Sequence, residues 1–176
     1  MGLLDANAPQ WLPIDGVGGR ITIDLVHHEI HDGNHYTFSR TKVMDTVTEN
    51  TVIITTPAAA GGSIHIISDA EMTAAGSWTF SKVPEASAGS TLTAYNNNFI
   101  SSSTSGTTIQ GGVIWTSAGT IVETHYIGAN NTSSKTGGNV AGRNEYILSP
   151  STKYGFRVAN NAATCYSVIN LFFYVA

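Results

Sequence analysis

Four of the chain's six histidines fall between residues 27 and 35, in the run His27-His28-Glu29-Ile30-His31-Asp32-Gly33-Asn34-His35. Imidazole ligates transition metals and titrates near neutral pH, so this density raises two chemistries, a Zn²⁺ site and a pH-sensitive contact between subunits. His27, His31 and His35 recur every four residues and on a helix would share one face. The run misses the H-E-x-x-H metal motif by one residue: after His28-Glu29 the next histidine is His31, and Asp32 holds the position of the second ligand. Asp32-Gly33 is also a turn signal, and in a hairpin the rings would scatter over two faces. The reading favoured by these residues is structural, with histidines hydrogen-bonding backbone at a strand junction.

Other catalytic constellations are missing from the sequence. There is no G-x-S-x-G elbow and no phosphate-binding loop. Cys165 is the single cysteine, sits in an apolar run and reads as a small buried hydrophobe. The twelve acids form no local pair with a glycosidase signature, and seven of them lie in the first 50 residues. Gly16-Val17-Gly18-Gly19 precedes a strand pattern and opens no helix, so it reads as a hinge. The expectation is therefore a non-enzymatic chain with no catalytic residue, cofactor or metal. One binding face remains open: Trp115 and Tyr95, beside the amides of Asn96, Asn97 and Asn98, suit a sugar, which stacks on rings and bonds to amides. Trp78, two residues from Phe80, reads as core.

The elements that would position these residues are strands. The chain has 176 residues, enough for one domain with its own core. Ser (17), Thr (22), Asn (13) and Gly (18) make up about 40% of it, while charged residues are only 11% against the usual quarter. Glu, Lys and Arg are too few for a helical bundle. A net charge of −4 without a basic cluster argues against nucleic acid, and 41% hydrophobic residues argue against disorder. Alternation with period 2 runs through Ile21–Leu25, Tyr36–Phe38, Ile64–Ile66, Trp78–Phe80, Ile121–Tyr126 and Tyr154–Val158. Short apolar runs at 52–55 and 146–148 each stop near a proline. The last run, 165–175, is apolar on both faces and predicts a central strand. About nine short strands separated by Gly, Ser, Asn and Pro, with at most one helical turn near 68–75, predict an all-β, jelly-roll-like antiparallel β-sandwich.

Residues 1–19 differ from the rest. Pro9 and Pro13 disfavour both helix and central strand, and Gly16, Gly18 and Gly19 follow. They predict an extended N-terminal arm ahead of a single domain over 20–176. The arm's Trp11, Leu12 and Ile14 must be buried, on this domain or on a neighbouring subunit. Two long polar tracts, 96–112 and 128–142, carry almost no charge, which favours contact with a neighbouring surface. Trp11, Leu12, Ile14, Asn96, Asn97 and Asn98 are thus the expected subunit or capsid contacts. Residues 1–19 lack the basic and apolar regions of a signal peptide, and no stretch reaches the roughly 18 apolar residues that span a bilayer. The two overlapping glycosylation triplets at Asn130 and Asn131 read as loop residues.

Three segments together resemble small structural proteins of tailed bacteriophage particles, of the head-decoration (cement) type. The first is Ile21-Thr22-Ile23-Asp24 followed by His28-x-x-His31-x-Gly33-x-x-Tyr36. The second is Leu92-Thr93-Ala94-Tyr95-Asn96 with its Ser/Thr tract. The third is Gly142-Arg143-Asn144-Glu145-Tyr146-Ile147-Leu148-Ser149-Pro150, then Tyr154-Gly155-Phe156-Arg157-Val158-Ala159-Asn160. The resemblance covers residues 20–176 and makes His28, His31, Gly33 and Tyr36 a structural motif. It implies a jelly-roll-like sandwich that oligomerises, as dimer or trimer, and binds the major capsid protein or other virion proteins. It implies a protein made in the host cytoplasm and located in the virion, with neither nucleic acid nor membrane as partner. A receptor- or carbohydrate-binding module on the tail is the alternative. The low charge fits either, because contact regions are depleted in Lys, Glu and Asp at their centres.

Overall fold

The computed structural model describes residues 25–45, 47–58, 62–127, 145–160 and 164–175. A short helix, α1 (Leu25–His31), leads into β1 (His35–Met44), β2 (Glu49–Thr55), β3 (Ile64–Met72) and β4 (Gly76–Lys82). An excursion of short strands follows: β5 (Glu85–Ala86), β6 (Ser90–Leu92), β7 (Tyr95–Asn96), β8 (Thr108–Gly111) and β9 (Trp115–Ser117). The chain then returns through β10 (Thr120–Ile127), β11 (Glu145–Leu148), β12 (Lys153–Asn160) and β13 (Cys165–Val175).

These strands make an antiparallel β-sandwich. One sheet has the order β11-β3-β13-β1-β7, the other β10-β4-β12-β2-β8-β6, and β5 pairs with β9. Consecutive principal strands change sheets: β1 pairs with β13, β2 with β12, β3 with β13 and β11, and β4 with β12 and β10. The two-sided run 165–175 is the middle strand of its sheet. Its Ile169, Leu171 and Phe173 are fully buried in the core with Phe80 and Phe156 of the opposite sheet. Phe80 and Phe156 are direct cross-strand partners whose rings stack 4.9 Å apart. Each fully buried side chain of this size contributes about 1.5–3 kcal/mol of transfer free energy.

The structure corrects two expectations of local structure. Leu25, expected to end a strand, opens α1, and the histidine run splits into a helix and the start of β1. Asp32-Gly33 turns the chain between them, with Gly33 at φ +75°, a conformation that suits glycine after a helix. The helical turn expected near 68–75 is a strand as far as Met72. Ile64, Ile66, Ser68, Ala70 and Met72 point inward on alternate positions, so the small residues Ser68 and Ala70 serve the pleat and not a helix. The short strands inside the tract 96–112 were not legible as alternation.

The outer faces of the two sheets differ. Two parts of the excursion, residues 83–89 and 112–117, fold over the outside of the six-stranded sheet, while β6 and β8 extend the sheet and β7 joins the other one. The Trp115 ring and Pro84 lie against Gly155, where an added Cβ would meet Trp115 Cζ2 at 2.4 Å. Thr51, Thr79 and Ser81, on that outer face, are consequently buried, and Thr51 donates a 2.6 Å bond to the Val113 carbonyl. On the five-stranded sheet, α1 packs against one end of β1 and β13. Beyond it Val43 (54% exposed), Tyr166 (59%), Ile147 (67%) and Tyr95 (68%) face outward.

Candidate functional site

The helix–turn–strand corner at residues 27–36 is built against the loop 96–101. On α1 the Nε2 atoms of His27 and His31 lie 2.9 Å apart, one ring donating to the other. His28 Nδ1 lies 3.4 Å from the Asp32 carboxylate. His35 belongs to β1 and takes no part in that helical face. Among the described residues no three His, Cys, Asp or Glu side chains converge as metal ligands. Contrary to expectation, the rings of the corner histidines bond side chains and not backbone among the described residues; what these residues give the fold is carbonyls, with Asn98 Nδ2 donating to that of His31 (2.9 Å) and the Asn97 backbone N–H to that of His35 (2.9 Å). The Gly33 carbonyl accepts from the Tyr36 hydroxyl (3.1 Å) and from Asn96 Nδ2 (2.7 Å). A Cβ at Gly33 would meet Ser101 Oγ at 2.2 Å. The side-chain amides of Asn96, Asn97 and Asn98 are thus bonded within the chain. Trp11, Leu12 and Ile14, with residues 1–19 and the tract 128–142, lie outside the described residues.

His35 shows how the corner controls protonation. Thr37 Oγ1 donates to Asn97 Oδ1 (2.7 Å), which orients the amide so that Asn97 Nδ2 donates to His35 Nδ1 (2.7 Å). A ring nitrogen that accepts is unprotonated, so His35 is neutral here. Burial holds its pKa below the ordinary value of 6.5, and the Glu29 carboxylate pulls weakly in the opposite direction.

Two His–Glu–Tyr networks lie outside the sequence expectation. On the outer face of the five-stranded sheet, Tyr174 donates to Glu145 Oε1 (2.5 Å) and His65 Nδ1 lies 2.7 Å from the same oxygen. Tyr174 stacks between His35 and His65, its cross-strand neighbours. The bonds from Tyr174 and His65 hold the Glu145 carboxyl below its usual range. Burial, with help from Glu145, pushes the Tyr174 phenol up to about 12. The second network closes one side of the sandwich. Glu123 and His125 on β10 face the same way as Phe80 and Trp78, and Glu123 bonds both His125 and Tyr146 of β11. The partners in each network come from distant strands, so no local motif marks them. One trace was visible, an acid and an imidazole two residues apart on β10, which alternation places on one face.

The rings and amides considered as a sugar face do not come together. Tyr95 is exposed beside β1 on the five-stranded sheet, whereas Trp115 lies over Gly155 on the other side of the sandwich. Arg157 sits 5.1 Å above the Trp115 ring, and Trp115 Nε1 is out of solvent with no acceptor. Trp78 is core, stacked near Phe80. A further accessible feature is the outer face of the five-stranded sheet, where Phe172, Val168 and Ile67 are half-buried beside its exposed apolar residues. Its chemistry is contact: apolar side chains interleaved with hydroxyl and amide groups and with the carboxylates of Asp69, Glu71 and Glu145. No family model, no curated protein and no solved structure matches this chain.

Proposed function

We propose that the chain is a non-enzymatic structural protein of a bacteriophage virion, a capsid decoration or cement component that oligomerises and binds the outside of the particle. The observation that carries this reading is the unequal treatment of the two sheets: Pro84, Val113 and Trp115 lie over one outer face, while the other leaves Val43, Tyr166, Tyr95 and Ile147 exposed among polar residues. Two apolar groups on that face, Val43, Val168 and Tyr166 at one end and Phe172 and Ile67 at the other, flank the polar row Ser39, Asn170 and Asp69, and grouped apolar area of this kind supports a contact role. The interleaved strand orders β1-β13-β3-β11 and β2-β12-β4-β10 of the sandwich support a jelly-roll-like reading. The phage assignment itself rests on the three resembling segments, and its partners would be further copies of the chain and the major capsid protein.

Immunogold labelling of the parent particle tests this assignment. Gold spread evenly over the head is the expected result. Gold confined to the tail would replace it with the receptor-binding reading, and unlabelled particles would contradict a virion role.

A further inference from the structure

The geometry points to a charge-paired contact between two copies of this chain, in which Arg40 and Lys42 of one copy receive Asp69 and Glu71 of the next. This contact rests on the oligomer proposed above and names residues for it.

Arg40 and Lys42 lie two apart on β1, along the open margin of the sandwich. β7 flanks β1 only at Tyr36 and Thr37, so from Phe38 to Met44 no described strand lies on that side. The arginine is held in place for a ligand. Its Nε donates to Asn50 Oδ1 (3.0 Å), and Asn50, fully buried, returns a bond from Nδ2 to the Arg40 carbonyl (3.1 Å). The guanidinium lies against glycine backbone: a Cβ at Gly111 would come within 2.0 Å of Nη1, and one at Gly112 within 3.3 Å of Nη2. This leaves Nη1 and Nη2, the fork that binds a carboxylate, without a partner among the described residues. Among the described residues Lys42 Nζ bonds only the Glu49 carbonyl (2.6 Å), while the Glu49 carboxylate lies 3.6 Å from Arg157. Burial depresses the Arg40 pKa, as expected for a cation partly removed from water with no counter-charge.

The complementary pair is on β3. Asp69 and Glu71 are also two apart, on the outer face, and no described cation lies within ion-pair distance of either. Asp69 is half-buried, its Oδ1 out of solvent with no donor among the described residues, which leaves Oδ2 as the oxygen a second copy can reach. Residues two apart on a strand are separated by about 6.7 Å, so the acidic and basic pairs have matching spacing. The two pairs sit on different surfaces of one molecule, so they meet only between copies. In a two-fold dimer the contact forms twice, and in a ring once per interface.

An edge guarded against aggregation also carries inward charges. A guard needs only charge, whereas this arginine is clamped at Nε and seated on glycine. Arg40→Lys separates the two roles, since it keeps the charge and loses the fork.

The experiment is sedimentation velocity on the full chain across a concentration series, with circular dichroism as the check of folding. Arg40→Glu with Lys42→Glu should weaken self-association by about tenfold or more, as should Asp69→Lys with Glu71→Lys. All four changes together should restore it, and Arg40→Lys alone should weaken it measurably. Carbodiimide coupling of mixed ¹⁴N- and ¹⁵N-labelled wild-type protein supplies a readout independent of any variant's folding. Mixed-isotope peptides joining Lys42 to Asp69 or Glu71 are expected. A wild-type oligomer that gives no such link, or whose affinity neither folded reversal changes, would overturn this pairing and leave oligomerisation standing. A wild type that is monomeric throughout would overturn both.

Discussion

The outer faces of the two sheets answer one problem in opposite ways. Each sheet needs only its inner face for the shared core. On the six-stranded sheet residues 83–89 and 112–117 cover the outer face, and the residues beneath them are suited to being covered. Gly155 leaves room for the Trp115 ring, and Thr51 bonds the Val113 carbonyl. On the five-stranded sheet the described residues cover only the end beside α1, where Glu29 and His35 are buried and Tyr174 stacks on two imidazoles. The rest presents Val43, Tyr166, Ile147 and Tyr95 to solvent. The difference teaches that apolar residues on a face are not enough to show how it is used. What matters is whether the chain itself supplies the cover.

Four changes break or sharpen this contrast. The largest effect belongs to the covered face. Trp115→Ala strips the ring from Gly155 and Arg157 and should cost about 3 kcal/mol, a fall in Tm of roughly 6–12 °C by calorimetry. Gly155→Ala probes the same contact from below. Its new methyl must displace Trp115 or Pro84, and urea unfolding should show a loss of about 1–3 kcal/mol.

The third change is pH, acting at the covered end of the other sheet. His35 has a folded pKa below 6.5, so the unfolded chain takes up its proton first as pH falls. The stability it contributes is complete above about pH 6.5 and declines as pH drops through that value. Glu145, also depressed, holds its contribution down to its unfolded value near 4.5 and loses it below. Tyr174 acts at the other extreme: stability falls as pH rises from 10 towards about 12, where the unfolded phenol ionises first. Urea midpoints measured across pH should show both declines, and His35→Gln should flatten the step between pH 7 and 5. The smallest effect on stability belongs to the uncovered face, where Tyr166→Ser should stay within about 0.5 kcal/mol of wild type.

Much of this fold was legible before the structure. The alternations at Tyr36–Phe38, Trp78–Phe80 and Tyr154–Val158 lie in strands with those residues inward, because period 2 is a geometric consequence of the pleat. The two-sided run 165–175 lies at a sheet centre, as its apolar residues on both faces require. The helix at the histidine run was misread as a strand junction, since seven residues are too few to show a period of 3.6 clearly. The covered outer face was also out of reach. Nothing in the sequence marks Thr51, Thr79 and Ser81 as buried, and only the folding of 83–89 and 112–117 over the sheet buries them. The two His–Glu–Tyr networks join residues up to 109 apart in sequence, which spacing rules do not connect.

The central claim is that the uncovered sheet face is an assembly surface. Sedimentation velocity of Ile147→Asp combined with Tyr166→Asp, beside wild type at the same concentrations, tests it most directly. The account predicts an oligomer for wild type and a folded monomer with nearly unchanged Tm for the variant. A variant that sediments as the wild-type oligomer would contradict it, and so would a wild type that is monomeric at every concentration.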